Sequence, residues 1–228
     1  MTLAVSSVGA ELLDDLRADP DQVRQSLDNI ARANRWFGGL AAVRWGLARV
    51  LQDARGEVTL LDVGTGRGDV PMMAQVWGGR RGLAVRAVAL ERHPAAARLA
   101  TGPTLPTVLG CGSALPFGTR SVDVVITSQV AHHLSRAACV LLFRECARVA
   151  RRGLVVADLR RSDLAAAGFW LGGRLLRFDP YTLADGITSI RRGFLARELE
   201  ALLAEAGIHA VVRSRPGARL VAAWRVGT

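Results

Sequence analysis

The most informative stretch of the sequence is a glycine-rich loop with an acid just before it. It runs Asp62-Val63-Gly64-Thr65-Gly66-Arg67-Gly68-Asp69, with a glycine at every second position of its middle part. Glycines allow a tight turn and let a ligand come close to the backbone. The spacing differs from the G-x-G-x-x-G of dinucleotide sites, and no G-K-S/T of a phosphate loop follows. Because the carboxylate of Asp62 would repel a pyrophosphate but attract an amine, the loop favours a zwitterionic ligand.

Other groups capable of chemistry follow later predicted strands. His132 and His133 come after the fourth strand, where a neutral imidazole could take a proton from a phenol or an acidic carbon. Alternatively, one histidine bonds the loop backbone and orients the other; His132 is the preferred base. Past the fifth strand, Arg160 and Arg161 could bind an anionic acceptor, or could be a solvated pair. No cluster of His, Cys and acidic residues has metal-ligand spacing, so we expect no metal.

The elements that must position these residues alternate between strand and helix. Short apolar runs typical of strands buried on both faces occupy residues 58–63, 85–90, 107–109, 122–127 and 154–157. This alternation predicts right-handed crossovers and a doubly wound, mostly parallel α/β sheet. A helix over 195–206 is followed by strands at 208–213 and 220–225, joined by a turn at 214–217. These two strands are predicted to form an antiparallel pair that completes seven strands.

Two regions fall outside this alternation. Residues 1–57 are interpreted as an N-terminal helical cap, which leaves 58–228 as the ligand-binding domain. Residues 160–192 form an insertion after the fifth strand, with one helix around 164–176 and then a polar stretch. Ligands bind outside the carboxyl ends of the strands in open α/β sheets, so this insertion is predicted to be a substrate lid. Tyr181 and Asp185 are its candidate substrate contacts.

Composition narrows the partners and the compartment. The formal net charge of +10 at first suggests a nucleic-acid partner, but all 30 basic residues are arginine and aromatic residues make up only 5% of the chain. We attribute much of this charge to codon bias and expect no nucleic-acid partner. Three cysteines without metal or redox spacing, no signal-peptide pattern in residues 1–10 and no long apolar run favour a cytoplasmic protein without a membrane span. We expect a monomer or a homodimer.

Four motifs, each after its own predicted strand, resemble those of the class I S-adenosylmethionine (SAM)-dependent methyltransferases over about residues 58–160. The first is the acid and glycine loop from Asp62 to Gly68, and the second is Glu91 at the end of the second strand. The third, Gly112-Ser113-Ala114-Leu115-Pro116-Phe117, resembles the adenine segment, although Ser113 stands where many members have Asp. The fourth runs from Val122-Asp123-Val124-Val125 through His132-His133-Leu134.

The resemblance implies a Rossmann-like methyltransferase fold, SAM as the cofactor and S-adenosylhomocysteine as its product. It implies cofactor contacts from Asp62, Gly64, Thr65, Gly66, Asp69, Glu91, Arg92, Ser113, Ala114, Leu115 and Ser128. The Glu91 carboxylate would accept both ribose hydroxyls. Arg35 could hold the SAM carboxylate by a bidentate contact, and Trp36 could cover the cofactor beside the substrate. The alternatives are a surface arginine and a core tryptophan.

The ubiquinone/menaquinone-type small-molecule methyltransferases are the subgroup that the sequence resembles more closely. Some bacterial members found with polyketide pathways share Asn34-Arg35-x-x-Gly38-Gly39 and Asp158-Leu159-Arg160-Arg161-Ser162. The leading hypothesis is therefore methylation of a phenolic, quinol or polyketide-like acceptor, on oxygen or carbon, in bacterial secondary metabolism. Its substrate contacts would be Trp36, His133, Arg160, Arg161 and Tyr181.

Two alternatives stay open beside this hypothesis. The net charge motivates an RNA or protein methyltransferase, although Thr127-Ser128-Gln129-Val130 stands where amino-methylating enzymes have an N/D-P-P-Y/F motif. The other alternative is a protein that binds SAM without transferring its methyl group.

Overall fold

A seven-stranded sheet forms the centre of the computed structural model, which describes residue 9 and residues 11–102 and 104–227. Its strands are β1 (Gly56–Val63), β2 (Leu83–Glu91), β3 (Thr107–Leu109), β4 (Val122–Ser128), β5 (Ala150–Leu159), β6 (Val212–Arg215) and β7 (Arg219–Arg225). Their spatial order is β3-β2-β1-β4-β5-β7-β6. Neighbouring strands from β3 to β5 pair in parallel, while β7 runs antiparallel to both β5 and β6. The predicted doubly wound, mostly parallel α/β sheet is confirmed.

Helices connect the strands and cover both faces of the sheet. They are α1 (Pro20–Trp36), α2 (Gly39–Val50), α3 (Asp69–Gly79), α4 (Pro94–Ala100), α5 (Arg136–Val149), α6 (Asp163–Leu175), α7 (Pro180–Arg192) and α8 (Ala196–Glu205), with 3₁₀ turns at Leu12–Asp14 and Ala131–His133. The start of α1 follows from its sequence, since the Asp19 side chain accepts from the backbone amides of Asp21 and Gln22 and Pro20 occupies the first turn.

The apolar strands are buried because each face of the sheet has its own core. On one face, Val125 and Leu154 pack with Phe143 of α5 and with Leu199 and Leu203 of α8. The other face is covered by α2 and α3 and buries residues such as Leu47, Leu60, Ile126, Val155 and Val221. Strands covered on both sides need apolar residues at successive positions, which explains the near-continuous apolar runs in the sequence.

The two helices of the predicted N-terminal cap have different surroundings. Helix α2 lies in the layer that covers the sheet, and a Cβ added at Gly46 would come within 2.5 Å of the Val155 Cγ1. Glycine therefore permits the close approach of α2 to β5. Helix α1 packs mainly on α2 and α4. The division of the chain at residue 57 stays a prediction, and residues 1–8 and 10, on which the signal-peptide expectation rests, lie outside the described residues.

Two element predictions were wrong. Residues 177–192 were expected to be a polar stretch after a single helix, but they contain α7, whose first turn is capped by the Asp179 carboxylate accepting from the Thr182 amide. The Asp179-Pro180 pair repeats the helix-start signal of α1. Strand β6 begins at Val212 instead of 208, and the turn before β7 lies at 216–218, where Gly217 and Ala218 have positive φ.

Within the described ranges, no helix is long and apolar enough to cross a bilayer.

Candidate active site

A cavity of about 540 Å³ lies at the carboxyl ends of β1, β2, β4 and β5. This size is within the range of small-molecule sites. Helices α6 and α7 cover the cavity through residues that include Phe169 and Ile190, and the segment of residues 11–14 covers it from another side. The structure therefore places both helices of the predicted lid over the edge of the sheet where ligands are expected.

The glycine loop forms one wall of this cavity and needs glycine for steric reasons. Gly64 and Gly66 have φ of +77° and +54°, in the left-handed region. A Cβ at Gly64 would also lie 2.4 Å from the Val130 Cγ2, so a side chain at 64 would displace the loop after β4. The Gly64 amide donates to the Leu90 carbonyl over 2.8 Å, which ties the loop to the end of β2.

Glu91 is held at the end of β2 by backbone amides. Its Oε1 accepts from the amides of Arg92 and His93 over 2.8 and 2.9 Å, and its Oε2 accepts from the Gly66 amide over 3.0 Å. The carboxylate is thereby fixed beside the glycine loop on the cavity wall. This position is consistent with the ribose contact that the resemblance implies, which stays a prediction.

Three acids concentrate negative charge at this end of the cavity. Burial raises the pKa of Asp62, and together with the neighbouring charges of Asp69 and Glu91 it brings this pKa to about 7. Burial also raises the pKa of Asp69, although the Asn34 amide donates to its Oδ2 over 3.0 Å. Like charges in a poorly solvated site disfavour one another's ionised forms. A cationic ligand would relieve this repulsion, so the site is suited to an ammonium or a sulfonium group.

His132 forms a buried pair with Asp158, a residue that the sequence analysis did not select. The His132 Nδ1 lies 2.7 Å from the Asp158 Oδ1, and both side chains are almost fully buried. Asp158 also accepts from the backbone amides of Ala131 and Leu159 over 3.0 and 2.7 Å. Burial alone would raise the pKa of Asp158. The charge and hydrogen bond of His132, together with the Leu159 amide and the charge of His133, hold that pKa below its ordinary value.

The pairing fixes which nitrogen of His132 is available for chemistry. An ionised carboxylate can only accept hydrogen bonds, so Nδ1 carries the proton that faces Asp158. In the neutral ring, Nε2 then holds a lone pair. His132 lines the cavity, and within the described part of the chain its Nε2 has no hydrogen-bond partner. The arrangement can accept a proton from a group in the cavity.

His133 is engaged with the segment that covers the cavity. Its ring lies 4.2 Å from the ring of His132, and its Nδ1 lies 3.1 Å from the Asp14 Oδ1 and 3.3 Å from the Arg192 Nη1. These contacts favour a positioning role over that of a base. Both histidines still line the cavity, so the predicted substrate contact of His133 is open to test.

Arg192 anchors residues 11–14 over the cavity. Its Nη1 lies 3.0 Å from both the Glu11 Oε1 and the Asp14 Oδ2, and its side chain is fully buried. Helix α7 adds two further bonds, because Ser189 donates to the Glu11 Oε2 over 2.6 Å and Asp185 accepts from the Leu12 amide over 3.0 Å. Asp185 lines the cavity, as expected for the lid, but its Oδ2 already accepts the hydrogen bond from the Leu12 amide.

Glu11, His132 and His133 offer three ligand atoms that lie within 4.8 Å of one another. That distance would allow a metal ion. The guanidinium of Arg192, however, already supplies the positive charge beside Glu11 and His133, and it would repel a cation. We assign no metal here, and the absence of a metal site stays a prediction.

Many of the selected site residues lie on the cavity wall. They are Asp62, Gly64, Thr65, Gly66, Asp69, Glu91, Arg92, Ser113, Ser128, His132, His133 and Arg160. The structure does not bring six others to it: Arg35, Trp36, Ala114, Leu115, Arg161 and Tyr181.

Three of these residues lie outside the cavity because they are on the outward side of their helix. At the end of α1, Asn34 is buried and faces the cavity, so the next two side chains turn outward, and Trp36 is 68% exposed. On α7, Thr182 faces inward and Tyr181 faces solvent in the same way.

The other three residues have different surroundings. Arg161 is committed to an ion pair with Glu198, 2.6 Å away on α8. Leu115 belongs to the core, and Ala114 beside it is exposed.

The chain is similar to methyltransferases in two comparisons. The family model described as "Methyltransferase domain" matches residues 61–157, less than half of the chain. Among solved structures, a SAM-dependent methyltransferase from Aquifex aeolicus is 17% identical with a TM-score of 0.60, over 92% of this chain and 100% of that one. Human N-acetylserotonin methyltransferase, solved in complex with SAM, is 12% identical with a TM-score of 0.63, over 92% of this chain and 57% of that one. These identities establish similarity of fold. No curated protein matches the sequence.

Proposed function

We propose that the chain is a SAM-dependent methyltransferase that methylates a small phenolic, quinol or polyketide-like acceptor on oxygen or carbon. The similarity of residues 61–157 to the methyltransferase domain supports the reaction class. The observation that carries the proposal is the buried His132–Asp158 pair. His132 lines the cavity, and its buried Nε2 has no hydrogen-bond partner among the described residues. Phenols and acidic carbons become nucleophilic when they lose a proton. A neutral imidazole at the cavity wall is suited to accept that proton.

The residues on the cavity wall fit the cofactor. The three acids Asp62, Asp69 and Glu91 complement a ligand with ammonium, sulfonium and ribose hydroxyl groups. When bound there, SAM would supply an electrophilic methyl group on its sulfonium, with the sulfur as the leaving group. His132 takes the acceptor's proton at Nε2, and the Asp158 carboxylate stabilises the imidazolium that results. Neutral His132 returns when this proton leaves to water.

The cavity walls support an acceptor that is small and largely apolar. Side chains such as Leu13, Phe37, Leu159, Phe169 and Ile190 line the cavity. Because α6, α7 and residues 11–14 all contribute to its lining, a polymer would have to displace them to reach His132. This geometry favours a small molecule over RNA or protein. Closing a site against water also strengthens its electrostatic interactions.

The proposal also includes the compartment, the acceptor class and the oligomeric state of the enzyme. Cys111, Cys139 and Cys146 are free thiols, in agreement with a reducing compartment, so we place the enzyme in the cytoplasm. A quinol acceptor would correspond to the ubiquinone/menaquinone-type subgroup, and a polyketide-like one to bacterial secondary metabolism and natural product biosynthesis. We propose a monomer or homodimer that needs no nucleic-acid partner.

The first test is a panel of acceptors with radiolabelled SAM. Phenols, hydroquinones and hydroxylated polycyclic aromatics are compared with mixed RNA and with a protein extract. We expect S-adenosylhomocysteine and a methylated aromatic product in equal amounts, and no label in RNA or protein. Label confined to RNA or protein would overturn the small-molecule proposal. SAM binding without S-adenosylhomocysteine formation on any acceptor would favour a protein without methyl transfer.

Asp62 makes SAM binding depend on pH. Burial raises the pKa of this carboxyl to about 7, so in the free protein it is protonated below that pH. A cationic ligand favours the ionised form, so binding at acidic pH must release a proton. We expect the Kd of SAM to fall as pH rises from about 5.5 to 7.5, by up to about tenfold per unit below the pKa. Calorimetry in two buffers of different ionisation enthalpy would count the released proton.

The matched control is Asp62→Asn, which keeps the shape of the side chain and cannot ionise. This variant should bind SAM more weakly and with little dependence on pH in the same range. An unchanged pH dependence in Asp62→Asn would show that another group is responsible.

A further inference from the structure

One buried cation on the cavity wall has no part in the proton transfer described above. Arg219 begins β7 and is 5% exposed. Its Nε donates to the Phe37 carbonyl over 3.2 Å and its Nη1 donates to the Gln129 Oε1 over 2.6 Å. Both acceptors are uncharged. Within the described ranges, Arg219 forms no salt bridge and its Nη2 has no hydrogen-bond partner, so part of the guanidinium is left for a ligand.

The electrostatic surroundings leave the positive charge of Arg219 poorly compensated. Burial lowers the pKa of Arg219 to about 10, and the charge of Asp158 only partly opposes this effect. Asp158 makes no ion pair with Arg219 and is bonded to His132 and to two backbone amides. A buried charge without a counter-ion is costly, and an anionic ligand would compensate it.

A chain of hydrogen bonds holds the guanidinium in place. Gln129, just after β4, receives the bond from Arg219 and donates from its Nε2 to the Asn34 Oδ1 over 2.5 Å. Asn34 in turn donates to Asp69 beside the glycine loop. Gln129 has a φ of +57°, a costly conformation for a residue other than glycine. This conformation brings its amide between Asn34 and Arg219.

The position of Arg219 is between the two ends of the ligand site. In the register of the sheet it pairs with Leu159, the last residue of β5, beside the Asp158 that orients His132. Through Gln129 and Asn34 it is also linked to Asp69, at the acidic end of the cavity. A group bound to Arg219 would therefore lie between the acids and the proposed base.

We propose that Arg219 binds a carboxylate in the cavity, through the bidentate geometry for which a guanidinium is suited. Two sources could supply it: the methionine part of SAM, or the acceptor. The acceptor source rests on the proposed function, whereas the SAM source requires only that the cavity binds the cofactor. If SAM is the source, Arg219 takes the role that the sequence analysis gave to Arg35, which is not among the residues that line the cavity.

The experiment compares pairs of ligands that differ by one carboxylate. In the donor arm, calorimetry measures the Kd of SAM and of decarboxylated SAM. In the acceptor arm, it measures 4-hydroxybenzoate and 4-hydroxybenzyl alcohol on the protein saturated with S-adenosylhomocysteine. If Arg219 binds the carboxylate of SAM, the wild-type protein prefers SAM by about 10- to 100-fold, the range of a charge-assisted hydrogen bond. If it binds that of the acceptor, the preference appears in the second pair.

Variants of Arg219 test whether this arginine causes the preference for the ligand with the carboxylate. Arg219→Gln should bind both members of the relevant pair equally, and Arg219→Lys should retain part of the preference. Arg161→Gln, which removes an arginine outside the cavity, should leave both ratios unchanged. Melting curves show whether each variant folds.

The wild-type measurements test the proposal even if Arg219→Gln does not fold. No carboxylate preference in either pair would overturn it, as would a preference that Arg219→Gln retains. Because only binding is measured, a failure of methyl transfer would count against the proposed function and leave this inference standing.

Discussion

His132→Ala should lower kcat for methyl transfer to a phenol by about 100- to 10,000-fold, the usual contribution of a general base. The Kd of SAM should change little, because the His132 ring contacts Asp158 through Nδ1 and makes no hydrogen bond to the glycine loop or to Glu91. Asp158→Asn should cost a similar factor. An amide in this position can donate to Nδ1 and so place the ring proton on Nε2, which removes the lone pair.

Two comparisons distinguish the loss of the base from an unspecific effect of the substitution on activity. His209→Ala removes an exposed histidine in the loop after α8 and should leave kcat unchanged. The second comparison varies the acceptor, since a phenol that is already ionised needs no base. The loss in His132→Ala should therefore shrink from phenol to 4-nitrophenol. A loss that is equal for both acceptors would mean that His132 acts by positioning and not by proton transfer.

The sheet and the glycine loop could be predicted because local patterns determine them. Strands buried on both faces leave an apolar run, as in β4 and β5, and a positive φ in a turn favours glycine, as at Gly64 and Gly66. These signals lie within a few residues of the feature that they predict. The helix start at Asp179-Pro180 is equally local and was missed only because the stretch around it is polar.

The partners within the site could not be predicted, because they come from distant parts of the chain. His132 meets Asp158 across 26 residues, Gln129 meets Arg219 across 90, and Arg192 meets Glu11 across 181. The sequence did contain one usable signal, an acid at the carboxyl end of β5 next to the strand that precedes the histidines. Choosing Asn34 over Arg35 requires the rotation of α1, which only the packing of that helix determines.

Arg192→Met is expected to release residues 11–14 from the cavity. The arginine side chain is fully buried between Glu11 and Asp14, and removing it leaves two buried carboxylates with the His133 imidazole alone beside both of them. Breaking such a buried pair typically costs about 3–5 kcal/mol. Movement of this short segment into water avoids most of that cost and leaves the two sheet cores intact. We therefore expect the amides of Leu12 and Asp14 to lose protection from hydrogen exchange, while amides of β1 and β4 keep theirs.

Neutralising Glu11 and Asp14 tests whether their charge causes the release of residues 11–14. Adding Glu11→Gln and Asp14→Asn to Arg192→Met removes both unpaired charges and should restore much of the lost protection. Lowering the pH should restore part of this protection, because burial raises the pKa of Glu11 and a protonated carboxyl no longer opposes closure. Asp14 should contribute less, because the hydrogen bond and charge of His133 hold its pKa below the ordinary value despite burial. Unchanged exchange at Leu12 in Arg192→Met would show that Asp185 and Ser189 suffice to hold the segment. If the segment is released, methyl transfer should fall together with protection, since water then enters the site beside His132.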